Sequence, residues 1–257
     1  MIEELLPAPF ACADSFEDFG EDTLFAEERA LLGQSVDKRR REFATVRACA
    51  RQALSALGLP PSPVLPGVRN APAWPAGIVG SMTHCDGYRA AALARSSGVL
   101  AVGIDAEPDL PLPAGLAESI ALPAEQAWLR RESAGAPGGG VRGAAAGAGR
   151  PGGRAICWDR LLFSAKEAVY KTWYPMMRTE LDFDDAEITF ATDTPGRGTF
   201  EARILRPARG PHGRVVDRFS GGWLAERGLL VTAIAFSAPA PAGTGTSGES
   251  LASPATP

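Results

Sequence analysis

Trp158–Tyr174, WDRLLFSAKEAVYKTWY, is the stretch from which the rest of this 257-residue chain is read. At about 100° per residue, Leu161, Leu162, Ala165, Ala168, Val169, Thr172 and Trp173 fall on one side of a helix. Ser164, Lys166, Glu167, Tyr170 and Lys171 fall on the other. The pattern predicts one face in a core and one face open to chemistry. Glu167 and Lys171 also stand one turn apart in the order that favours an ion pair, and on this segment alone a solvated surface stripe is the simpler account.

Upstream, the apolar run that ends in VGIDAE carries Asp105 and Glu107 across Ala106. On an extended strand residues i and i+2 share a side, so both carboxylates can converge on one point. Two such charges repel unless a cation sits between them. Mg²⁺ takes hard oxygen ligands, keeps water and substrate phosphate in its other positions, and could draw a third carboxylate from Glu167.

Length and composition admit one large domain or two small ones packed together, with 45% apolar residues, as in an ordinary soluble protein. The net charge of −4 hides an asymmetry. Glu3 to Glu28 is acidic without Lys or Arg, whereas Lys38, Arg39, Arg40, Arg41, Arg47 and Arg51 make a basic helix. That implies a local anion site, not a general nucleic-acid binder. The start lacks the basic and apolar regions of a signal peptide, and no run is long enough to span a membrane, so the expected place is the cytosol. Cys12, Cys49, Cys85 and Cys157 form no CxxC pair and the histidines are His84 and His212, which argues for free thiols and against zinc.

In chain order, Thr23–Leu32 reads as a short helix and 37–57 as a long one, stopped by Gly58, Pro60 and Pro61. Its apolar stripe is Phe43, Val46, Ala50, Leu54 and Leu57. Arg40, Arg47 and Arg51 line up beside it, either as a solvent-facing row or as a phosphate clamp. The runs 77–85 and 88–95, joined at Asp86-Gly87, predict a hairpin. Val99–Glu107 is the next strand, expected to place Ser81, Thr83 and His84 in one sheet with Asp105 and Glu107. A helix is expected over 122–131, and Ser133–Arg154, rich in Gly, Ala, Pro and Arg, reads as a mobile loop. Strands are expected at 186–191, 199–205, 222–226 and 229–236, then a disordered tail from Ser237. Two halves emerge, with the carboxylates at a cleft between them.

GSMTHCDGY, VGIDAE and WDRLLFSAKEAVYK, in that order and spacing, resemble the 4′-phosphopantetheinyl transferases of the surfactin- and enterobactin-synthetase-activating type. KRRREFATVRACARQAL and RNAPAWPAG are similar to the actinobacterial branch, and GGWLAERGLLVTAIAF to the family's C-terminal hairpin. The resemblance implies an α+β fold of two similar subdomains related by a pseudo-two-fold, each an antiparallel sheet packed with helices. Residues 1–117 would form the first, 118–236 the second with an insert at 133–154, and 237–257 the tail. It implies coenzyme A as substrate, Mg²⁺ with Mn²⁺ as the alternative, and transfer of phosphopantetheine to a serine of apo acyl or peptidyl carrier proteins by a cytoplasmic monomer.

By motif position Asp105, Glu107 and Glu167 would hold the metal. Ala106 stands where some relatives carry a polar residue, leaving that part of the shell to water. Lys166, Lys171 and His84 would face the pyrophosphate, and Ser81 and Thr83, on the same strand as His84, would also contact coenzyme A. Arg39 and Arg47 would face the 3′-phosphate, and Arg69 is carried over as a further basic contact. Glu167, Lys171 and His84 would do the chemistry. The competing readings are a Mg²⁺-dependent phosphatase or pyrophosphatase, and a non-catalytic scaffold for coenzyme A or a carrier.

Overall fold

The computed structural model describes residues 1–134, 155–210 and 213–237. The loop expected at Ser133–Arg154, all but its first two residues, the tail beyond Ser237, and His212 lie outside them. In chain order the elements are β1 (Ala11–Ser15), α1 (Ala26–Ala30), α2 (Asp37–Ala56), β2 (Leu65–Pro66), β3 (Pro72–Ala73), β4 (Ile78–Cys85), β5 (Tyr88–Arg95) and β6 (Val99–Pro108). Then follow α3 (Leu116–Ile120), α4 (Pro123–Ala134), α5 (Trp158–Met177), β7 (Ala186–Thr194), β8 (Arg197–Arg209), β9 (Val215–Glu226) and β10 (Leu229–Ser237). Among the described residues no helix is long and apolar enough to cross a membrane.

The architecture is α+β, with two main antiparallel sheets. One has the order β1-β5-β4 and the other β6-β10-β9-β8-β7. The long α2 lies on the first, its Cys49, Ala50, Ala53 and Leu54 buried among Ala91, Leu93 and Ile78. Helix α5 lies on the second, where Leu161, Leu162, Ala165, Ala168, Val169 and Trp173 meet Phe200, Phe219, Trp223, Leu230 and Ile234. The expected hairpins form at Asp86-Gly87 and Arg227-Gly228, where Gly87 and Gly228 take φ of 76° and Arg227 takes 53°. A left-handed backbone there suits the twist of the strands.

The seam between the sheets differs from the expectation. β6 pairs with β10, Asp105 opposite Thr232, and so belongs to the sheet of the second half. β4 lies alongside it without a ladder. Side chains bridge the two strands instead: Ile104 N–H donates to Ser81 Oγ and Ala106 N–H to Thr83 Oγ1, both at 3.1 Å. Each buried amide is thereby satisfied while the two sheets remain separate.

Candidate active site

Alternation along β6 sorts its side chains. Ile104 and Ala106 enter the core with Ile2 and Tyr88, while Asp105 and Glu107 turn to α5, meeting Lys171 and Arg160. Ala106 is thus 1% exposed on the opposite face. The notion of a water standing in for a polar side chain there is corrected by this geometry.

Gly103 shares the face of Asp105 and Glu107 and lets α5 press onto the strand. A Cβ at Gly103 would lie 2.1 Å from the Ala168 carbonyl oxygen and 2.2 Å from Thr172 Oγ1. Ala168 and Thr172 follow Glu167 and Lys171 in sequence, so this close approach sets the latter two beside Asp105. Lys171 Nζ donates to Asp105 Oδ1 at 2.7 Å, and Thr83 Oγ1 donates to the same oxygen at 3.2 Å. Asp105 is 4% exposed. Its Oδ2 has no hydrogen-bond partner among the described residues.

The charges answer one another. Burial, then the charge of Asp105, holds Glu107 above the usual carboxylate range against the pull of Arg160 and Lys171. Burial raises Glu167 too, with Lys171 opposing and Asp105 adding. Burial alone would lower Lys171, but Asp105, through charge and hydrogen bond, with Glu167 and Glu107, raises it above its ordinary value. These four groups therefore act as a single electrostatic unit. An unpartnered buried carboxylate oxygen, with two further carboxylates whose pKa burial raises, is a donor set short of positive charge. It fits a hard divalent cation.

His84 lies beside this unit. Its Nε2 stands 2.6 Å from Arg39 Nη1; the guanidinium can only donate, which places the ring proton on Nδ1. Burial, then Arg39, Lys171 and Arg89, pushes the imidazole down to about 4, with Asp105 opposing. His84 is neutral at pH 7 and Arg39 is exposed, so the pair offers a cation and a neutral N–H donor side by side. Behind them Glu42 Oε2 is 3.8 Å from His84 Nε2, and Arg89 Nη2 is 2.8 Å from Asp18 Oδ1.

Three of the expected contacts lie elsewhere. Lys166 is 3% exposed, donates to the carbonyls of Phe183 and Ala186 at 2.7 Å each, and pairs with Glu125 at 2.9 Å. Burial pulls its ammonium below the ordinary value against Glu125. It pins α5 to α4 and to the turn before β7, and does not face Asp105. Ser81 is 3% exposed and engaged with Ile104. Arg47 is 7% exposed, its carbon Cζ 3.2 Å from the centre of the Phe43 ring and its Nε donating to Val64 O. Burial pushes it down to about 10, opposed by Glu28.

The rest of the basic row on α2 is also paired, Arg40 with Glu21, Arg41 with Asp18 and Arg51 with Glu28. The acidic lead neutralises that helix, leaving Arg39 toward His84. Arg69, exposed and with φ 54°, pairs with Glu180.

A cleft of about 250 Å³ opens at Glu167, walled by Tyr170, Leu181, Phe183 and Ala186, with Lys166 and Asp182. On its rim Asp182, Asp184 and Asp185 bring ligand oxygens within 4.8 Å of one another, closer than the Asp105, Glu107 and Glu167 set. Their grouping has a local cause. Asp185 accepts the Asp182 N–H and pairs with Arg206. Sequence reading missed Arg160, Glu125, Glu42 and Arg89, although Glu42 lies one turn from Arg39 on a helix already assigned.

Comparison with known proteins covers both halves. Residues 27–94 match the model of the 4′-phosphopantetheinyl transferase N-terminal domain, and residues 101–215 that of the 4′-phosphopantetheinyl transferase superfamily. The chain is 51% identical to 4′-phosphopantetheinyl transferase Svp of Streptomyces mobaraensis over 93% of its own length and 91% of that protein's. It is 44% identical to PptT of Mycobacterium tuberculosis, covering 91% of this chain and 97% of that one. With Npt of Nocardia iowensis the identity is 41%, over 92% of this chain and all of the other.

Proposed function

The chain belongs to the 4′-phosphopantetheinyl transferases, enzymes that move phosphopantetheine from coenzyme A to carrier proteins, and we propose that here the reaction runs at Asp105, Glu107, Glu167, Lys171, His84 and Arg39. The observation that carries the assignment is the Asp105 carboxylate, with one oxygen held by Lys171 and Thr83 and the other buried without a partner among the described residues. Mg²⁺, or Mn²⁺ in its place, held by Asp105, Glu107 and Glu167, would neutralise charge on the pyrophosphate.

The chain's own residues do the rest. Arg39 and His84 grip a phosphate of coenzyme A by charge-assisted and neutral hydrogen bonds, with Arg69 available once it leaves Glu180. The cleft beside Glu167 takes the pantetheine arm along Tyr170, Leu181 and Phe183. The serine oxygen of the carrier attacks the β-phosphorus, the bond to 3′,5′-adenosine bisphosphate breaks, and Glu167 accepts the serine proton. Its pKa, raised by burial, brings it closer to neutrality and suits it to that role. Lys171, kept charged by Asp105, faces the negative charge that builds on the phosphate oxygens.

In this reading residues 1–117 supply the phosphate contacts and the paired carboxylates, and residues 118–236 the Glu167–Lys171 helix. The enzyme acts as a cytosolic monomer; the free thiols of Cys12, Cys49 and Cys85 are consistent with a reducing compartment.

The test is to incubate the protein with coenzyme A, Mg²⁺ and several apo carrier domains and weigh each carrier. The expected result is the mass of one phosphopantetheine, lost on chelation and in Asp105→Asn. Parent activity in Asp105→Asn would remove that residue from the site. Release of inorganic phosphate without any carrier would favour a phosphatase.

A further inference from the structure

Arg160 lies in the first turns of α5, seven residues before Glu167 and therefore about two turns away on the same side of the helix. All three nitrogens of its guanidinium are engaged. Nη1 donates to Glu107 Oε2 at 2.9 Å, Nε to Leu110 O at 3.0 Å and Nη2 to Pro111 O at 2.9 Å. The neighbouring residues fasten the same two segments. Leu112 N–H donates to Asp159 Oδ2 and Cys157 N–H to Asp109 Oδ1, each at 2.9 Å. Residues 157–160 thus tie the start of α5 to the stretch that follows β6, and one prong of that tie ends on a carboxylate of the site.

Glu107 is the carboxylate most in need of it. It is the penultimate residue of β6, its side chain is 20% exposed, and Asp105 repels it. Left to itself it would turn outward to water. A fork whose other two prongs rest on backbone carbonyls cannot follow the side chain outward, so it fixes Oε2 and leaves Oε1 outside the fork.

We propose that Arg160 is the positioning residue that presents Glu107 to the divalent cation, so that cation affinity depends on a side chain that touches neither metal nor substrate. The inference rests on the metal reading above. Electrostatics taken alone gives the opposite sign, since removing a cation beside Glu107 would tighten binding of another. Orientation is taken to outweigh it because losing an outer partner of a metal ligand commonly weakens affinity about 10–100-fold.

The test uses Mn²⁺ as probe, following loss of the free-ion paramagnetic resonance signal as full-length protein is added, with coenzyme A present. Asp105→Asn reports on the metal reading: it must abolish binding, and a parent that takes up no Mn²⁺ sinks that reading and this inference together. Arg160→Gln reports on the inference alone. It should weaken Mn²⁺ at least about tenfold while metal-free coenzyme A binding, by calorimetry, stays within about twofold of the parent. Arg160→Lys, which keeps the charge but not the fork, should fall between, and it decides the matter if Arg160→Gln does not fold. Unchanged or tighter Mn²⁺ binding in a folded Arg160 variant, with Asp105→Asn behaving as expected, would reduce Arg160 to a staple between β6 and α5.

Discussion

Replacing Gly103 by Ala tests whether the register of α5 on β6 makes the site. The new Cβ would meet the Ala168 carbonyl oxygen at 2.1 Å and Thr172 Oγ1 at 2.2 Å. Thr172 Oγ1 donates to that same carbonyl at 2.8 Å, so rotating it away costs a buried hydrogen bond, and the carbonyl belongs to a helix backbone that cannot rotate. Relief requires α5 to retreat by roughly 1 Å or more, since ordinary contacts of carbon lie near 3.5–4 Å. Overpacking of this kind costs about 1–3 kcal/mol. At about 2–4 °C per kcal/mol for a domain of this size, the melting temperature should fall by roughly 2–12 °C. Activity should suffer more. Glu167 and Lys171 move with the helix while Asp105 stays on the strand, and a misplacement of about 1 Å costs about 100-fold. The assay is single-turnover transfer to a carrier at saturating coenzyme A and Mg²⁺, below the variant's melting range. A folded Gly103→Ala enzyme with kcat within about threefold of the parent would refute the claim that this contact sets the catalytic register.

Lys166→Met should cost up to about 3–5 kcal/mol by removing the countercharge of buried Glu125, which keeps only the amides of Leu122 and Ile188, with KM for coenzyme A unchanged in the folded fraction; a raised KM at unchanged stability would return Lys166 to the pyrophosphate. The imidazole resonance that disappears in His84→Ala should titrate at about 4 in the free protein and move upward when coenzyme A binds. Because the unfolded chain binds that proton near pH 6.5 and the folded one does not, stability should rise with pH from about 4 to 6.5; titration near 6.5 in the folded protein would refute this. Arg39→Ala should raise KM for coenzyme A roughly tenfold to hundredfold, as for a lost charged hydrogen bond, with little change for dephospho-coenzyme A. Arg47→Ala should lower the melting temperature and affect both substrates alike.

The fold was largely legible where burial is one-sided. The hairpins at Asp86-Gly87 and Arg227-Gly228, the long helices and the strand into VGIDAE all announce themselves by period and turn chemistry. What escaped has identifiable causes. β1, ACADS, is short and half-buried and reads as part of an acidic lead. β8 and β9 run well beyond their apolar segments, and their register shifts between Arg203 and Ala208, which hides the alternation. Helix α5 continues past Pro175 to Met177 and closes on Arg178 in the left-handed region. The separation of β4 from β6 could not be read either, because hydroxyls of Ser81 and Thr83 occupy the positions a ladder would fill.

At the site, the angular reading of α5 shows where sequence stops. Lys166 and Lys171 are five residues apart, about 140° around the helix, so the two cannot both face Asp105. Lys166 falls only about 20° beyond Trp173, at the shoulder of the core face, and a helix wheel has no means of telling a shoulder from a surface. What decides is Glu125, from another helix, which with the carbonyls of Phe183 and Ala186 gives the buried ammonium a complete set of acceptors. The same holds for Arg47, whose row on α2 looked like an anion clamp until Glu21, Asp18 and Glu28 supplied the countercharges. A periodic pattern fixes which side chains leave a surface together, whereas which of them remains free for a substrate depends on what the rest of the chain brings to that surface. Asp105 keeps an unpartnered buried oxygen among the described residues. That leftover demand for positive charge, more than any motif, is what supports the proposal that a divalent cation and a pyrophosphate meet there.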